Sequence, residues 1–274
     1  MPPRLGILAG GGDLPGRLIE ACRADGRDYF VVAFQGHADP EVVGDAPHLW
    51  AELTDASRVF DILCENAVTQ LVMAGRVRRP SWGRLRSHDR RTARFLGKIG
   101  VRALGDDGLL RAIARRLEEE GFQIVGPDDV VHDLLAPEGQ YGRVAPDAAA
   151  RLDIDRGVAV ARTLGTLDFG HAVVVRDGVV LGVEAVEGTD ALLERCQRLA
   201  PAGPGGVLVK CSKPGQDRRL DLPTIGPATV TKAAEARLRG IAVEAGRTLV
   251  LDKGAVAQLA DKSGLFVVGI PVPR

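Results

Sequence analysis

From Leu5 to Gly16 the chain reads LGILAGGGDLPG: five mostly apolar residues, three successive glycines, then Asp13-Leu14-Pro15 opening a periodic segment. Leu18, Ile19 and Cys22 fall on one face of the helix predicted over Arg17 to Asp25. Strand, glycine turn and helix in that order begin a βαβ unit. Glycine at such a turn lets the backbone come close to a ligand, and a helix N-terminus offers unpaired N–H groups to an anion. The spacing is neither GxGxxG nor GxxxxGK[ST], so the dinucleotide fingerprint and the P-loop are both absent.

Outward from this opening the pattern continues. Tyr29 to Phe34 (YFVVAF) reads as a second strand, Arg58 to Asn66 as a helix, and Val68 to Ala74 as a strand running into Gly75. Asp106 and Asp107 precede a periodic helix from Leu109 to Glu120 that Gly121 stops, and Phe122 to Val125 is one more strand. Strands alternating with helices predict an open parallel α/β sheet of Rossmann-like type, with ligand groups at the carboxyl ends of its strands. Beyond Gly75 lies a basic stretch that includes Arg76, Arg78, Arg79, Arg84 and Arg86, with Trp82 among them. Basic residues past a strand's carboxyl end suit a phosphate, although a solvated helix face carries the same composition. A nucleotide-dependent oxidoreductase would want an acidic residue for a ribose after the second strand, and Phe34-Gln35-Gly36 has none.

Periodicity fails between Gly126 and Pro146, where Pro127, Pro137, Gly139 and Gly142 punctuate the chain. This places a first domain over residues 1–130, a linker over 131–146 and a second domain over 147–274. The second half predicts a helix over Asp153 to Leu164 and a hairpin in which Asp177-Gly178 joins Ala172–Val175 to Val179–Val183. Further strands are Val207–Lys210, Gly240–Val243, Thr248–Leu251 and Phe266–Ile270, with helices over Thr231–Leu238 and Gly254–Ala260, making a smaller mixed α/β domain.

Two stretches of this half carry candidate chemistry. Glu184, Glu187, Thr189 and Asp190 offer oxygen ligands within seven residues, a set suited to Mg2+ or Mn2+. Thr189 or Asp190 as the cap of the following helix is the structural alternative. The second stretch, Leu208 to Pro227 (LVKCSKPGQDRRLDLPTIGP), leaves an apolar strand for a shaped, charged loop. Lys213, Arg219 and Asp221 belong to its charge cluster, and a carboxylate held beside Leu222, Pro223 and Ile225 at a strand end is placed where a ligand could be met.

Composition sets the surroundings. The chain has 36 basic and 36 acidic residues, and aromatics make up 4% of its 274 positions, which argues against a nucleic-acid partner. Cys22, Cys64, Cys196 and Cys211 are widely spaced and form no CxxC pair, so neither disulfides nor a zinc site are expected. With no signal segment or long apolar run, a cytoplasmic protein is expected.

Five motifs together resemble the LpxI-type UDP-2,3-diacylglucosamine pyrophosphatases: LGILAGGGDLPG, GDDGLL at 105–110, VEAVEGTDALL at 183–193, KPGQDRRLDLPTIGP at 213–227 and GIAVEAGRTLVLD at 240–252. The resemblance implies hydrolysis of a lipid-linked UDP-sugar to UMP and 2,3-diacylglucosamine 1-phosphate, a step toward lipid A. It further implies a divalent metal, a Rossmann-like first domain, a second domain of its own type and a lipid held between them. On the matching motifs it marks Asp221 as necessary for turnover. Attack of water on the diphosphate that the resemblance implies needs charge neutralisation and in-line placement. Lys213 or Arg219 would then draw charge from the diphosphate, and Asp221 would either bind metal with Glu184, Glu187 and Asp190 or position the water. Substrate contacts are expected at Gly10, Gly11, Gly12, Asp13, Gly75, Arg76, Arg79, Asp107, Thr189, Lys213, Gln216 and Thr224. A homodimer, with at most peripheral contact with the inner membrane, is the expected state. The rival reading from another class is a non-catalytic sensor of an anionic lipid, which would have no use for metal or for Asp221.

Overall fold

The computed structural model describes residues 3–78, 105–199 and 203–272, so Arg79 and most of the basic stretch after it lie outside the described residues. The chain divides into two compact units: Met1–Asp133 with Asp217–Asp221, and Leu134–Gln216 with Leu222–Arg274.

In the first unit, β1 (Leu5–Ala9), β2 (Tyr29–Phe34), β3 (His48–Ala51), β4 (Gln70–Ala74) and β5 (Gln123–Val125) form one sheet in the order β3-β2-β1-β4-β5. Every pairing is parallel. The connections are α1 (Leu14–Ala24), α2 (Pro40–Val43), α3 (Ala56–Glu65) and α4 (Asp106–Glu119), with the short α5 (Pro127–Val130) after β5. This is the Rossmann-like α/β arrangement expected, and the strand order reverses beside β1 and β4. β1 is buried along its whole length, as a central parallel strand covered on both faces must be. Leu8, Val32, Leu63, Leu71, Leu117 and Ile124 share one apolar cluster, within which the Phe60 and Phe122 rings stack at 6.1 Å. β3 went unforeseen: its four residues run from exposed His48 to buried Ala51 at a sheet edge and are too few for a period. α1 starts at Leu14, ahead of the predicted Arg17, because Pro15 is tolerated in a first turn whose N–H groups have no intrahelical partner.

The second unit holds a six-stranded mixed sheet in the order β6-β13-β11-β9-β7-β8. Its strands are β6 (Gly139–Gln140), β7 (Ala172–Arg176), β8 (Val179–Val183), β9 (Val207–Lys210), β11 (Gly240–Glu244) and β13 (Phe266–Ile270). A separate parallel pair is made by β10 (Thr224–Ile225) and β12 (Leu249–Val250). The expected linker thus begins where α5 ends and supplies β6, which pairs antiparallel with β13. The β7–β8 hairpin turns on Asp177 and Gly178 at φ 52° and 75°, the twin positive angles its two-residue loop requires. Beneath it the buried Asp153 carboxylate accepts from the Gly178 N–H at 2.7 Å and the Asp177 N–H at 3.1 Å.

Helix α6 (Ala148–Gly165) packs on β7 and β9, its Ala150, Ile154 and Ala161 joining Val173, Val175, Val207 and Val209. A glycine sits mid-helix there because a Cβ at Gly157 would lie 2.5 Å from Val209 Cγ2. Leu192, Val230 and Val256, from α7 (Gly188–Leu199), α8 (Pro227–Glu235) and α9 (Lys253–Ser263), belong to a second apolar cluster with Val174, Leu208 and Ile241. Alternate residues of β7 and β9 therefore serve the two clusters, as a sheet buried on both faces requires. β9 and β11 run parallel and β7 antiparallel to β9, so the carboxyl ends of β8, β9 and β11 and the amino end of β7 meet along one edge.

Candidate active site

In the first unit the glycine turn closes against the end of β4. Gly10 N–H donates to Ala74 O, Gly11 N–H to Arg76 O and Arg76 N–H to Gly11 O, each at 2.8 Å. Gly75 has φ +87°, and a Cβ on it would stand 2.5 Å from Gly11 O. A Cβ on Gly11 would stand 2.8 Å from His37 O. Gly10, Gly11 and Gly75 therefore allow backbone to approach backbone where β1, β2 and β4 end, which accounts for the first two glycines without a ligand. Gly12, at φ +90° with open space beside it, and Asp13 lead into α1. Asp107 pairs with Arg111 at 2.7 Å on α4.

Residues Asp217–Asp221 count with this unit although they lie in the second half of the chain. Leu220 is 6% exposed and sits in the cluster of β1, β2 and β4. Arg219 is clamped: its Nε and Nη2 reach the two Asp217 oxygens at 3.1 and 2.7 Å, and its Nη1 reaches Glu118 at 2.8 Å. The guanidinium hydrogen bond holds the Asp217 carboxyl below the usual carboxylate range, against the smaller opposing effect of burial. Arg219, expected to draw charge from a diphosphate, is thus a bracing group here. Asp221 follows Leu220 directly and is half-buried.

The second unit gathers buried polar groups along the sheet edge described above. Lys210, Ser212, Lys213, Gln216, Thr189 and Glu244 are all less than a tenth exposed. Lys213 Nζ is 2.6 Å from Asp168 Oδ1, and its N–H donates to Gln216 Oε1 at 2.9 Å. The Gln216 side chain also meets His171 Nε2, its amide nitrogen at 3.0 Å and its oxygen at 3.3 Å. The His171 N–H donates to Glu184 Oε2 at 2.9 Å, and Thr189 Oγ1 donates to Glu184 Oε1 at 2.7 Å. Burial pushes the Glu184 carboxyl up, but Lys210, the Thr189 hydroxyl and His171 outweigh it and leave the group below its ordinary value. Next along the edge, Glu244 Oε2 accepts from the N–H and hydroxyl of Ser212 at 2.8 and 2.7 Å. Burial and then Glu244 push the Cys211 thiol up to about 12, so it is no nucleophile.

Thr189, Lys213, Gln216 and Glu184, singled out from the sequence, thus fall in one neighbourhood, and Thr224 joins through its carbonyl, which accepts from Lys210 Nζ at 2.9 Å. Lys210, His171, Ser212, Glu244 and Asp168 were missed as site residues. The ending of β9 and β11 in Lys210 and Glu244 after purely apolar runs was the available signal. The three expected metal ligands of this unit do not form a centre. Glu184 is matched to Lys210 and Thr189, Glu187 pairs with Arg195 at 2.8 Å, and Asp190 lies in the first turn of α7. Among the described residues no three His, Cys, Asp or Glu side chains gather to hold an ion. These three carboxylates as placed do not fit an ion centre of their own.

Two family models match the chain in succession: the LpxI N-terminal domain over residues 4–134 and the LpxI C-terminal domain over residues 137–268. A protein of Caulobacter vibrioides named UDP-2,3-diacylglucosamine pyrophosphatase LpxI is 42% identical over 274 residues, with 97% of each chain covered. Both domain models in their natural order, and a relative matched from end to end, place this chain in the LpxI family.

Proposed function

We propose that this protein hydrolyses the diphosphate of UDP-2,3-diacylglucosamine, yielding UMP and 2,3-diacylglucosamine 1-phosphate on the route to lipid A. The observation that carries the reading is the end-to-end match with the Caulobacter pyrophosphatase. In this reaction a water oxygen bonds to one phosphorus and the bridging P–O bond breaks. The bridging oxygen leaves with the other phosphate, and the protons of the water pass to solvent. Positioning and charge neutralisation supply most of the catalysis in such a displacement. Asp221 orients and deprotonates the attacking water. Lys213 supplies positive charge at the buried edge, with Asp168 holding its ammonium in place. Gln216 and Thr189 supply the neutral hydrogen-bonding groups of that edge, and the glycine turn with Arg76 offers the first unit's surface for a phosphate.

A requirement for Mg2+ or Mn2+ is part of the proposal, on the strength of the resemblance. No helix among the described residues is long and apolar enough to cross a membrane. The proposed substrate is lipid-linked, and peripheral contact of a homodimer with the inner membrane from the cytoplasmic side remains our expectation. Incubating the purified protein with UDP-2,3-diacylglucosamine and either cation tests the reading. UMP and the lipid 1-phosphate should appear in equal amounts, and an intact substrate after long incubation would reject it.

A further inference from the structure

Asp221 stands in the chain between two stretches of backbone that are separately held. Before it, Leu220 is buried and Arg219 is clamped within the first unit. After it, four successive carbonyls are taken up. Leu222 O accepts from Thr224 Oγ1 at 3.1 Å. Pro223 O accepts from the Leu249 N–H at 2.8 Å and Ile225 O from the Leu251 N–H at 2.9 Å. Thr224 O accepts from Lys210 Nζ at 2.9 Å. The period of a strand explains the division of labour. Carbonyls 223 and 225 point toward β12, so carbonyl 224 points the other way, where the two-stranded sheet has no further strand. A half-buried carbonyl on that side needs a donor, and the donor is an ammonium.

That ammonium is itself held. Lys210 Nζ donates to Thr189 Oγ1 at 2.9 Å, and the same hydroxyl donates onward to Glu184 Oε1 at 2.7 Å. A buried cation costs stability unless it is paired and hydrogen-bonded, and Glu184 supplies the countercharge. Glu184, Thr189, Lys210 and Thr224 thus form one chain of contacts, all of it within the second unit. The acidic motif that suggested a metal ends on a cation that the protein carries in its own sequence.

We infer that Lys210 is a positioning residue of the hydrolysis: its ammonium fixes the Leu222–Ile225 backbone, the stretch of chain that directly follows Asp221. Glu184 and Thr189 serve to hold that ammonium. The inference deepens the diphosphate-hydrolysis reading and rests on it. Lys210 has no contact with substrate in this account, so its loss acts on the placement of Asp221. Turnover should fall while substrate affinity stays.

The test compares the wild type with Lys210→Met, Thr189→Val and Thr189→Ser, using UDP-2,3-diacylglucosamine with Mg2+. UMP release and amide hydrogen exchange are followed in parallel. Lys210→Met keeps the length of the stem and removes the charge. Its kcat should fall at least about tenfold, the scale set by small misplacements of a reacting group, with KM nearly unchanged. The Leu249 and Leu251 amides, which bond to carbonyls 223 and 225, should exchange faster, while those of β1 keep their protection. Thr189→Val should speed exchange at Leu249 and Leu251 by less, and Thr189→Ser, which keeps the hydroxyl, should restore their protection. If Lys210→Met does not fold, the exchange readout of the Thr189 pair decides the matter. Wild-type protein that releases no UMP sinks the functional reading and the inference together. An active wild type beside a Lys210→Met of equal kcat sinks the inference alone. So does a variant that raises KM only, or one whose Leu249 and Leu251 amides stay protected.

Discussion

Replacing Leu220 by alanine asks what holds the Asp221 segment, and the structure offers two competing anchors. One is apolar: Leu220 is 6% exposed and shares a cluster with Leu8, Leu63, Leu117 and Ile124. Truncating a buried leucine to alanine removes its transfer free energy and leaves a cavity, together about 2–5 kcal/mol. The other anchor is ionic: Arg219 holds Asp217 and Glu118, but its side chain is 41% exposed and those of its partners 25% and 37%. Solvent-screened pairs of that kind contribute about 0.2–1 kcal/mol each. Leu220→Ala should therefore destabilise the first unit several times more than Arg219→Met. At about 4 °C per kcal/mol for a domain of this size, the leucine variant should move the first unit's calorimetric transition down by roughly 8–20 °C. Scanning calorimetry of the full chain reads this directly, provided the transitions of the two units are resolved. UMP release measured well below the transition should also slow in Leu220→Ala. If Leu220→Ala proves harmless and Arg219→Met severe, the segment is held by surface charge and the reasoning from burial is wrong.

Gly75→Ala should lower the melting temperature of the first unit, because a positive φ costs an L-residue about 1–2 kcal/mol and the new Cβ would press on Gly11 O 2.5 Å away; an unchanged melt would mean the turn gives way freely. Since the Glu184 carboxyl lies below its ordinary value in the folded state, its contribution is complete above about pH 4.3 and is lost as pH falls through the lower folded value. Glu184→Gln should flatten that acid limb of a stability–pH curve and lower stability at neutral pH by removing the negative charge that faces the Lys210 ammonium; an unaltered limb would show the carboxylate is not the titrating group. Asp221→Ala should lower kcat by about 10²–10⁴-fold with the melting temperature and lipid affinity kept; a parallel fall of all three would make Asp221 a brace. EDTA should stop turnover and Mg2+ or Mn2+ restore it, and full activity in metal-stripped protein would remove the cation from the proposal.

Much of the fold could be read ahead of the structure, for a physical reason common to the elements that were found. β1, β2, β9 and β13 are apolar runs bounded by glycine, proline or charge, buried over most of their length, so composition alone marks them. The Asp177-Gly178 turn marks itself, because few residues accept two positive φ angles in succession. β3, β6, β10 and β12 have two to four residues each. For so short a strand the pairing partner decides the conformation, and partners distant in sequence leave no local trace. β12 was foreseen at Thr248–Leu251, while the pairing of Thr224-Ile225 with it was not, since 25 residues separate the paired positions.

The candidate site divided along the same line. Residue types at the sheet edge were legible: Lys213, Gln216, Thr189 and Glu184 were all marked in advance. Their partners were not. A carboxylate in a turn looks the same whether its counter-ion is a metal, as Glu184 was first read, or an ammonium that arrives 26 residues later on β9. Energetics favour the second arrangement wherever a lysine ends a buried strand, for a buried ammonium is tolerated only with a countercharge and acceptors at hand. Arg219 shows the converse. Its position in the loop suggested a phosphate ligand, yet two carboxylates within hydrogen-bond reach already hold its guanidinium, and one of them, Glu118, lies 101 residues earlier. An arginine so engaged has already given three of its five N–H donors to carboxylates, which offset its charge toward an anion. Lys213 has one carboxylate partner, Asp168, and is 5% exposed, so among the two cations first put forward it is the one that the buried edge can use.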